Sequence, residues 1–481
     1  MSLNKKIING SVWSLIGNVG YQLSGLFIFI LLSRMLSPVD FGTAALAIVF
    51  VELTKVLVSF GLDQIVIRAS ANEEDEIQNN VFFSSLLLGL LTSVLFILNA
   101  EYLEAVFEAP GLAISLYILS VVPIMQSLTS VPNGILRRLF KFKALAFRLL
   151  ISSLISGAVA IYLAYNGYGF YSLIIQKIIV VTLELFLVWK SVKWRPNFKI
   201  NSIKIISTFK QGKPIVLTSL IGQGIFRFVE LLIGYFLGVA ALGVFKIAGK
   251  LLDAIVQFTI KPIVDVSFSA FAKLKDSPDK LNECYLNFIS TCALFSFPAF
   301  FGSLVIGPEM VSLIFGEQWQ KSGAVFSILC LSGISASLNY FFSQFCHATH
   351  NSHIPFRIRI FEFFAVISLV SIFSQVSIYH VAYSIVAVAT IICITMMAIL
   401  RQKFLFSLTE IFNGLFSSFI SSLCMAAVVY FTVKIQLGSQ PSIIKVVISI
   451  ILGGATYIIF YKLLFPQKIK NIIVKIKKIR A

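Results

Sequence analysis

Polar residues are sparse along this chain, and the apolar ones fall into blocks. Fourteen blocks follow one another, at 7–32, 41–67, 80–99, 111–131, 146–165, 168–189, 213–237, 242–265, 285–307, 322–346, 355–375, 378–399, 413–434 and 442–463. Each is close to the roughly 20 apolar residues that a helix needs to cross a bilayer. In lipid only helices and closed barrels satisfy their own backbone, and these runs lack the short alternating strands of a barrel. The pattern therefore predicts an all-α polytopic membrane protein with about fourteen transmembrane helices. The first run follows Lys5 and Lys6, continues to Leu32 and carries no small-x-small cleavage site, so we expect a retained first helix.

Composition agrees: 58% of the residues are hydrophobic and 12% charged, against about 25% charged in soluble domains. The net charge of +18 would suit nucleic acid if it were clustered, but it is not. Of the 39 Lys and Arg residues, 30 lie in the N-terminus, the C-terminal tail and alternate loops; the other loops hold only Arg34, Lys321, Lys434 and Lys445. That asymmetry puts both termini in the cytoplasm and excludes nucleic acid as a partner. The acidic outside stretches are Glu101, Glu104, Glu108 and Glu309, Glu317. Cysteines 284, 292, 330, 346, 393 and 424 stand singly, with no disulfide or metal spacing.

The largest inside connection, Trp189 to Lys213, carries Phe198, Ile200, Ile203, Ile205, Ile206 and Phe209 among basic residues. It is expected to lie on the membrane surface as a linker. The tail from Lys468 to Arg480 reads as an anchor for anionic membrane lipids. An internal repeat appears at an offset near 201 residues: Leu36 to Gly42 aligns with Leu237 to Gly243, Gln22 with Gln223 and Glu52 with Asp253; nearby, Phe107-Glu108 falls on Phe315-Gly316. Six helices separate the copies, which predicts two parallel, pseudo-symmetric six-helix lobes with a substrate site between them. The expected organisation is an N-lobe over 1–200, a C-lobe over 201–403, and two further helices with a basic cytoplasmic tail over 404–481.

Candidate chemistry lies in the few ionisable residues inside the apolar runs. Gln223, Arg227 and Glu230 share one face of the seventh run; a turn over Leu237 to Gly243 follows; Lys246, Lys250, Asp253 and Gln257 share a face of the eighth. The first two runs mirror them with Ser11, Asn18, Gln22 and Gly25, then Glu52, Lys55, Ser59 and Asp63. Each ion at mid-membrane costs about 2.5–3.5 kcal/mol unless it is paired or wet. Two readings remain open: a structural ion-pair cluster, or a hydrophilic translocation path. The cations Lys55, Arg227, Lys246 and Lys250 suit a diphosphate, although Lys55 also stands three residues from Glu52. Glu52, Asp63, Glu230 and Asp253 are candidates for coupling to H⁺ or Na⁺, or are counter-ions.

Catalytic and metal signals are poor. Gly243 to Lys250 has the wrong spacing for a phosphate loop, and Leu251 stands where Ser or Thr belongs. His347, His350 and His353 have no set of carboxylate or thiolate co-ligands beyond Cys346. We expect no enzyme, no resident metal and no cofactor.

Several stretches carry a resemblance. Leu32-Ser33-Arg34-Met35-Leu36-Ser37-Pro38-Val39-Asp40-Phe41-Gly42, Val131-Pro132 through Phe142, and Gly169-Phe170-Tyr171-Ser172-Leu173 resemble signatures of bacterial O-antigen and exopolysaccharide flippases. So do Leu232-Ile233-Gly234 through Gly238 with Leu242-Gly243, and Phe297-Pro298, Gly307-Pro308-Glu309 and Ile314-Phe315-Gly316 with Trp319. Glu230 and Tyr235 depart from the pattern, which often has Asp and Arg there. The resemblance implies membership of the multidrug/oligosaccharidyl-lipid/polysaccharide exporter superfamily, with two six-helix lobes around a central cavity plus two helices. It implies an undecaprenyl-diphosphate-linked oligosaccharide as substrate, turned across the bacterial inner membrane, with polymerase and chain-length machinery as partners. Arg34, Lys55, Arg227, Lys246 and Lys250 carry over as cavity candidates, beside Gln22 and Gln223. The rival readings are a multidrug/cation antiporter of that superfamily and a membrane glycosyltransferase or polymerase, the latter disfavoured by the short outside loops.

Overall fold

The computed structural model describes residues 3–59, 74–139, 141–197, 202–432 and 443–468, together with Val66; Asp63 and the tail beyond Lys468 lie outside them. Among the described residues all regular structure is helical. In order these are α1 (Leu3–Met35), α2 (Pro38–Ser59), α3 (Glu74–Phe107), α4 (Leu112–Leu119), α5 (Val121–Arg138), α6 (Phe142–Tyr165), α7 (Tyr171–Ser191) and α8 (Ser202–Thr259). They continue with α9 (Lys261–Leu274), α10 (Pro278–Phe315), α11 (Gln320–Cys330), α12 (Gly333–Ala348), α13 (His353–Phe373), α14 (Ile378–Phe404), α15 (Leu408–Phe431) and α16 (Ile443–Leu464). Nine helices among the described residues are long and apolar enough to cross a membrane; the pair around α11 and α12, bent by 52°, makes a tenth if it is one span. This is an all-α polytopic membrane protein.

The helices overrun the apolar blocks. α3 continues through Glu101 and Glu104 to Phe107, and α10 through Glu309 to Phe315, so residues expected in outside loops are helical. Carboxylates there are as good helix formers as apolar residues, and nothing ends the helix until a residue takes a left-handed conformation. That residue is Glu108 (φ 46°) after α3 and Gly316 (φ 109°) after α10, the pair matched by the repeat. The expected seven-residue turn at Leu237–Gly243 shrinks to one residue: α8 is helical on both sides of Gly238, whose φ of 79° and ψ of 171° suit glycine alone. In the stretch expected to be a surface linker the chain has no regular structure over 192–197, and α8 starts at Ser202.

Element order repeats as the sequence does. A long helix, a broken pair and two further helices (α3, α4 with α5, α6, α7) recur as α10, α11 with α12, α13 and α14.

The chain forms two compact units, Met1–Gly243 and Val244–Ala481. In the first, α1 lies along α6, where the Ser24 and Ser153 hydroxyls stand 3.2 Å apart. α3, α5 and α7 bury Val81, Phe82, Val131, Ile135 and Val188, and Trp189 donates its indole N–H to Leu128 O at 3.1 Å. Ser37 and Asp40 form a reciprocal capping box on α2. Asp40 N–H donates to Ser37 Oγ at 3.1 Å, while Asp40 Oδ2 accepts from Ser37 N–H at 3.1 Å and from its hydroxyl at 2.6 Å. The other oxygen, Oδ1, accepts from Phe170 N–H at 3.2 Å. Two of the family-like motifs, Ser37 to Gly42 and Gly169 to Leu173, are therefore one tertiary contact. In the second unit α10 is the central pillar. Tyr285 on it packs against Phe271, Phe345 and Phe406, and lower contacts to α15 and α16 bury Ile306, Met425, Val429 and Tyr457.

Candidate functional site

In the first unit the intramembrane charges gather from α2, α7 and α8. Glu52 of α2 does not pair with Lys55. It accepts a hydrogen bond from Lys177 Nζ of α7 at 2.5 Å, with about a fifth of each side chain exposed. Three residues further along α2, one turn on, Lys55 points into the open. A lysine inside an otherwise apolar helix is costly to leave unpaired, and Glu52, 125 residues away, meets that need. Arg227 of α8 holds Glu230 at 3.0 Å across one turn, and Glu230 is 6% exposed. Lys55 and Arg227 both lie within electrostatic reach of Glu52. Tyr21 of α1 lies within reach of the Glu52–Lys177 pair and of Glu184.

Beside Tyr21, Gln22 is exposed on α1, and Arg34 is exposed in that helix's last turn. Gln223 sits on α8 one turn before Arg227; nothing is described of its side chain. Asp63 lies outside the described residues. The set brought together in this unit is thus Glu52, Lys55, Arg227 and Glu230, with Lys177 and Glu184 of α7 and Arg148 of α6 added. Among the described residues four cations face three carboxylates.

In the second unit Lys246 and Lys250 are half-buried on α8 and Asp253 is exposed one turn on. Lys250 lies within electrostatic reach of Asp253 and Lys246. The structure adds three groups. Tyr340 of α12 lies within reach of Asp253, Arg359 and Glu362; Arg359 of α13 pairs with Glu362 at 2.8 Å; and Lys261 sits 4.7 Å from the Tyr340 ring centre. Arg359, counted from sequence among loop residues, is the seventh residue of α13, as Arg148 is the seventh of α6. Arg148 donates to Asn133 at 2.5 Å.

Lys177 and Arg359 were the residues that sequence reasoning passed over. For Lys177 the signal was present: one lysine in an apolar run requires a partner. The histidines at 347, 350 and 353 span the end of α12, a turn and the start of α13, and His347 Nδ1 lies 2.9 Å from Ser352 Oγ. Among the described residues no cluster of three or more His, Cys, Asp or Glu could hold a metal.

Fold and site together define a polytopic helical membrane protein with ion pairs inside it. The chain belongs to the polysaccharide biosynthesis protein family, whose model matches residues 31–324. It is 24% identical over 385 residues to the lipopolysaccharide biosynthesis protein WzxC of Escherichia coli K12, covering 78% of this chain and 77% of that one. It is 23% identical over 339 residues to the succinoglycan biosynthesis transport protein ExoT of Rhizobium meliloti, covering 69% and 67%. The fold is that of the lipid II flippase MurJ in an inward closed conformation, with a TM-score of 0.80 at 19% identity over 95% of this chain and 100% of that one. An inward-facing multidrug resistance transporter of the MATE family aligns with a TM-score of 0.61 at 16% identity, over 81% and 94%.

Proposed function

We propose that this protein is a flippase, a transporter and not an enzyme, that turns an undecaprenyl-diphosphate-linked oligosaccharide across the bacterial inner membrane by alternating access. The observation that carries the reading is the excess of cations over carboxylates in the first unit's intramembrane set among the described residues: Lys55, Arg148, Lys177 and Arg227 against Glu52, Glu184 and Glu230. A diphosphate leaving water recovers lost hydration from such groups, and arginine offers it two parallel donors. The sugars follow the head through the polar path while the lipid tail stays in the bilayer. Names borne by relatives, a lipopolysaccharide biosynthesis protein and a succinoglycan transport protein, point the same way.

The distribution of Lys and Arg supports cytoplasmic termini. Each of Glu52 and Glu230 already holds a cation, so we read them as counter-ions; coupling to H⁺ or Na⁺ would act by exchanging those partners. The product would pass to a polysaccharide polymerase and its chain-length machinery. The second reading, a multidrug/cation antiporter, shares the fold but calls for carboxylates in excess, and here they are the minority.

The test is export in a strain lacking the gene, complemented by the Arg227→Ala, Lys250→Ala double variant. The reading predicts normal insertion and abolished export. Full export would refute the role given to the cations.

A further inference from the structure

The intramembrane ions of the second unit form one linked set, and its charges do not balance. Lys246, Lys250 and Asp253 share one face of α8, and Lys250 lies within electrostatic reach of both others. Tyr340 of α12 lies within reach of Asp253 and of the Arg359–Glu362 pair on α13. Lys261 of α9 stands 4.7 Å from the Tyr340 ring centre. Among the described residues this set holds four cations, Lys246, Lys250, Lys261 and Arg359, against two carboxylates, Asp253 and Glu362.

A cluster that only glued helices together would be neutral, because each uncompensated ion in a low-dielectric interior is costly. Lys246 and Lys250 moreover stand at i and i+4, a spacing at which like charges repel. Arg359 lies six residues, about 9 Å, into α13. It donates one N–H to Glu362 Oε2 at 2.8 Å and keeps 37% of its side chain exposed. A guanidinium carries five donors, so most of this fork remains for another acceptor. Tyr340 adds a half-buried ring and a hydroxyl, an amphipathic surface against which a sugar ring can pack. The cations also stand on three helices, α8, α9 and α13. One compact diphosphate calls for a compact group of donors, whereas charges spread along an oligosaccharide call for a dispersed one.

We propose that the transported oligosaccharide is acidic: at least one of its sugars carries a carboxylate, taken in the second unit by Arg359 and Lys250 with Tyr340 against the sugar ring. This rests on the flippase reading and adds to it the chemical class of the sugar. Water hydrates these cations while the path is open. A neutral sugar displaces that water and returns only hydroxyls, which leaves the excess positive charge uncompensated. An acidic sugar returns an ion, and a charge-assisted hydrogen bond is about twice as strong as a neutral one. Asp253 and Glu362 hold their cations in place and repel a carboxylate from the wrong position, so the set selects where the acid sits as well as that it is present.

The first arm of the test needs no variant. The lipid-linked oligosaccharide that accumulates in a strain lacking the gene is isolated, its diphosphate is cleaved with mild acid, and the released sugar is examined by anion exchange and mass spectrometry. At least one carboxylate per repeat unit is expected. A sugar without carboxylates overturns the proposal and leaves the flippase reading standing, whereas no accumulation overturns both. The second arm offers the same lipid to the purified full chain in mild detergent, before and after its carboxyls are reduced to primary alcohols with carbodiimide and borohydride, and follows binding by calorimetry. Reduction should weaken binding to the wild type about tenfold, while the Arg359→Gln, Lys250→Gln variant should bind the two forms alike, since both keep the diphosphate. Equal binding of the two forms by the wild type overturns the proposal, as does a variant that discriminates between them as strongly as the wild type.

Discussion

Gly42 and Gly243 meet backbone to backbone: a Cβ on Gly243 would lie 3.2 Å from the Gly42 amide nitrogen. The contact is reciprocal. Gly42 faces the carbonyl of Val239, and Gly243 faces that of Pro38, in each case four residues before the other glycine. All four residues belong to the first unit, and both pairs are related by the offset of 201 at which the sequence repeats. The start of α2 and the stretch of α8 after Gly238 thus cross on a local two-fold that admits no side chain at the crossing.

Adding a methyl at either glycine drives a Cβ into a carbonyl, and overpacking of this kind costs about 1–3 kcal/mol. Gly42→Ala and Gly243→Ala should each lower the unfolding temperature in detergent and reduce export. Gly25→Ala is the control, since a Cβ there meets nothing within 4 Å. Equal behaviour of all three variants would mean that the crossing is not as close as described.

The pair of Glu52 with Lys177 makes a second prediction. Lys177→Ala strands a carboxylate inside the helices, which costs about 1–3 kcal/mol, while removing both partners should restore part of the loss. A double-mutant cycle on thermal unfolding measures it. Effects that add to within about 0.5 kcal/mol would contradict the pairing.

Asp40 spends one oxygen on Ser37 and the other on Phe170. Asp40→Ala should cost about 0.5–2 kcal/mol, in the range of a lost helix cap. Asn offers one acceptor oxygen where Asp offers two, so Asp40→Asn should fall between wild type and Ala in unfolding midpoint. An Asn variant no more stable than the Ala variant would count against the shared-carboxylate arrangement.

Much of this was legible in the sequence, and the limits have physical causes. Apolar blocks mark where helix must lie because lipid leaves the backbone no other choice. They do not mark where a helix stops, since Glu101, Glu104 and Glu309 continue one as readily as leucine does. The repeat was legible where geometry constrains residue type, at Gly42 with Gly243 and at the ends Phe107 and Phe315. Helical periodicity put Glu52 and Lys55 on one face and Arg227 and Glu230 on another, but it cannot say which helix that face meets. Lys177, 125 residues from its partner, therefore needed the structure, whereas Arg359 and Glu362, three residues apart on α13, were missed because Arg359 was counted with a loop. The turn at Leu237–Gly243 was overdrawn because one left-handed glycine suffices to break the helix.

If the chain turns a lipid-linked oligosaccharide from the inner to the outer leaflet, loss of the gene must strand that lipid on the inner side. The most direct measurement is the amount and leaflet of the lipid-linked repeat unit in a strain lacking the gene. Accumulation on the cytoplasmic side is expected, relieved by the wild-type gene and not by the Arg227→Ala, Lys250→Ala variant. Unchanged levels of that lipid with increased sensitivity to dyes or drugs would contradict it in favour of an antiporter, and accumulation on the outer side would place the missing step after translocation.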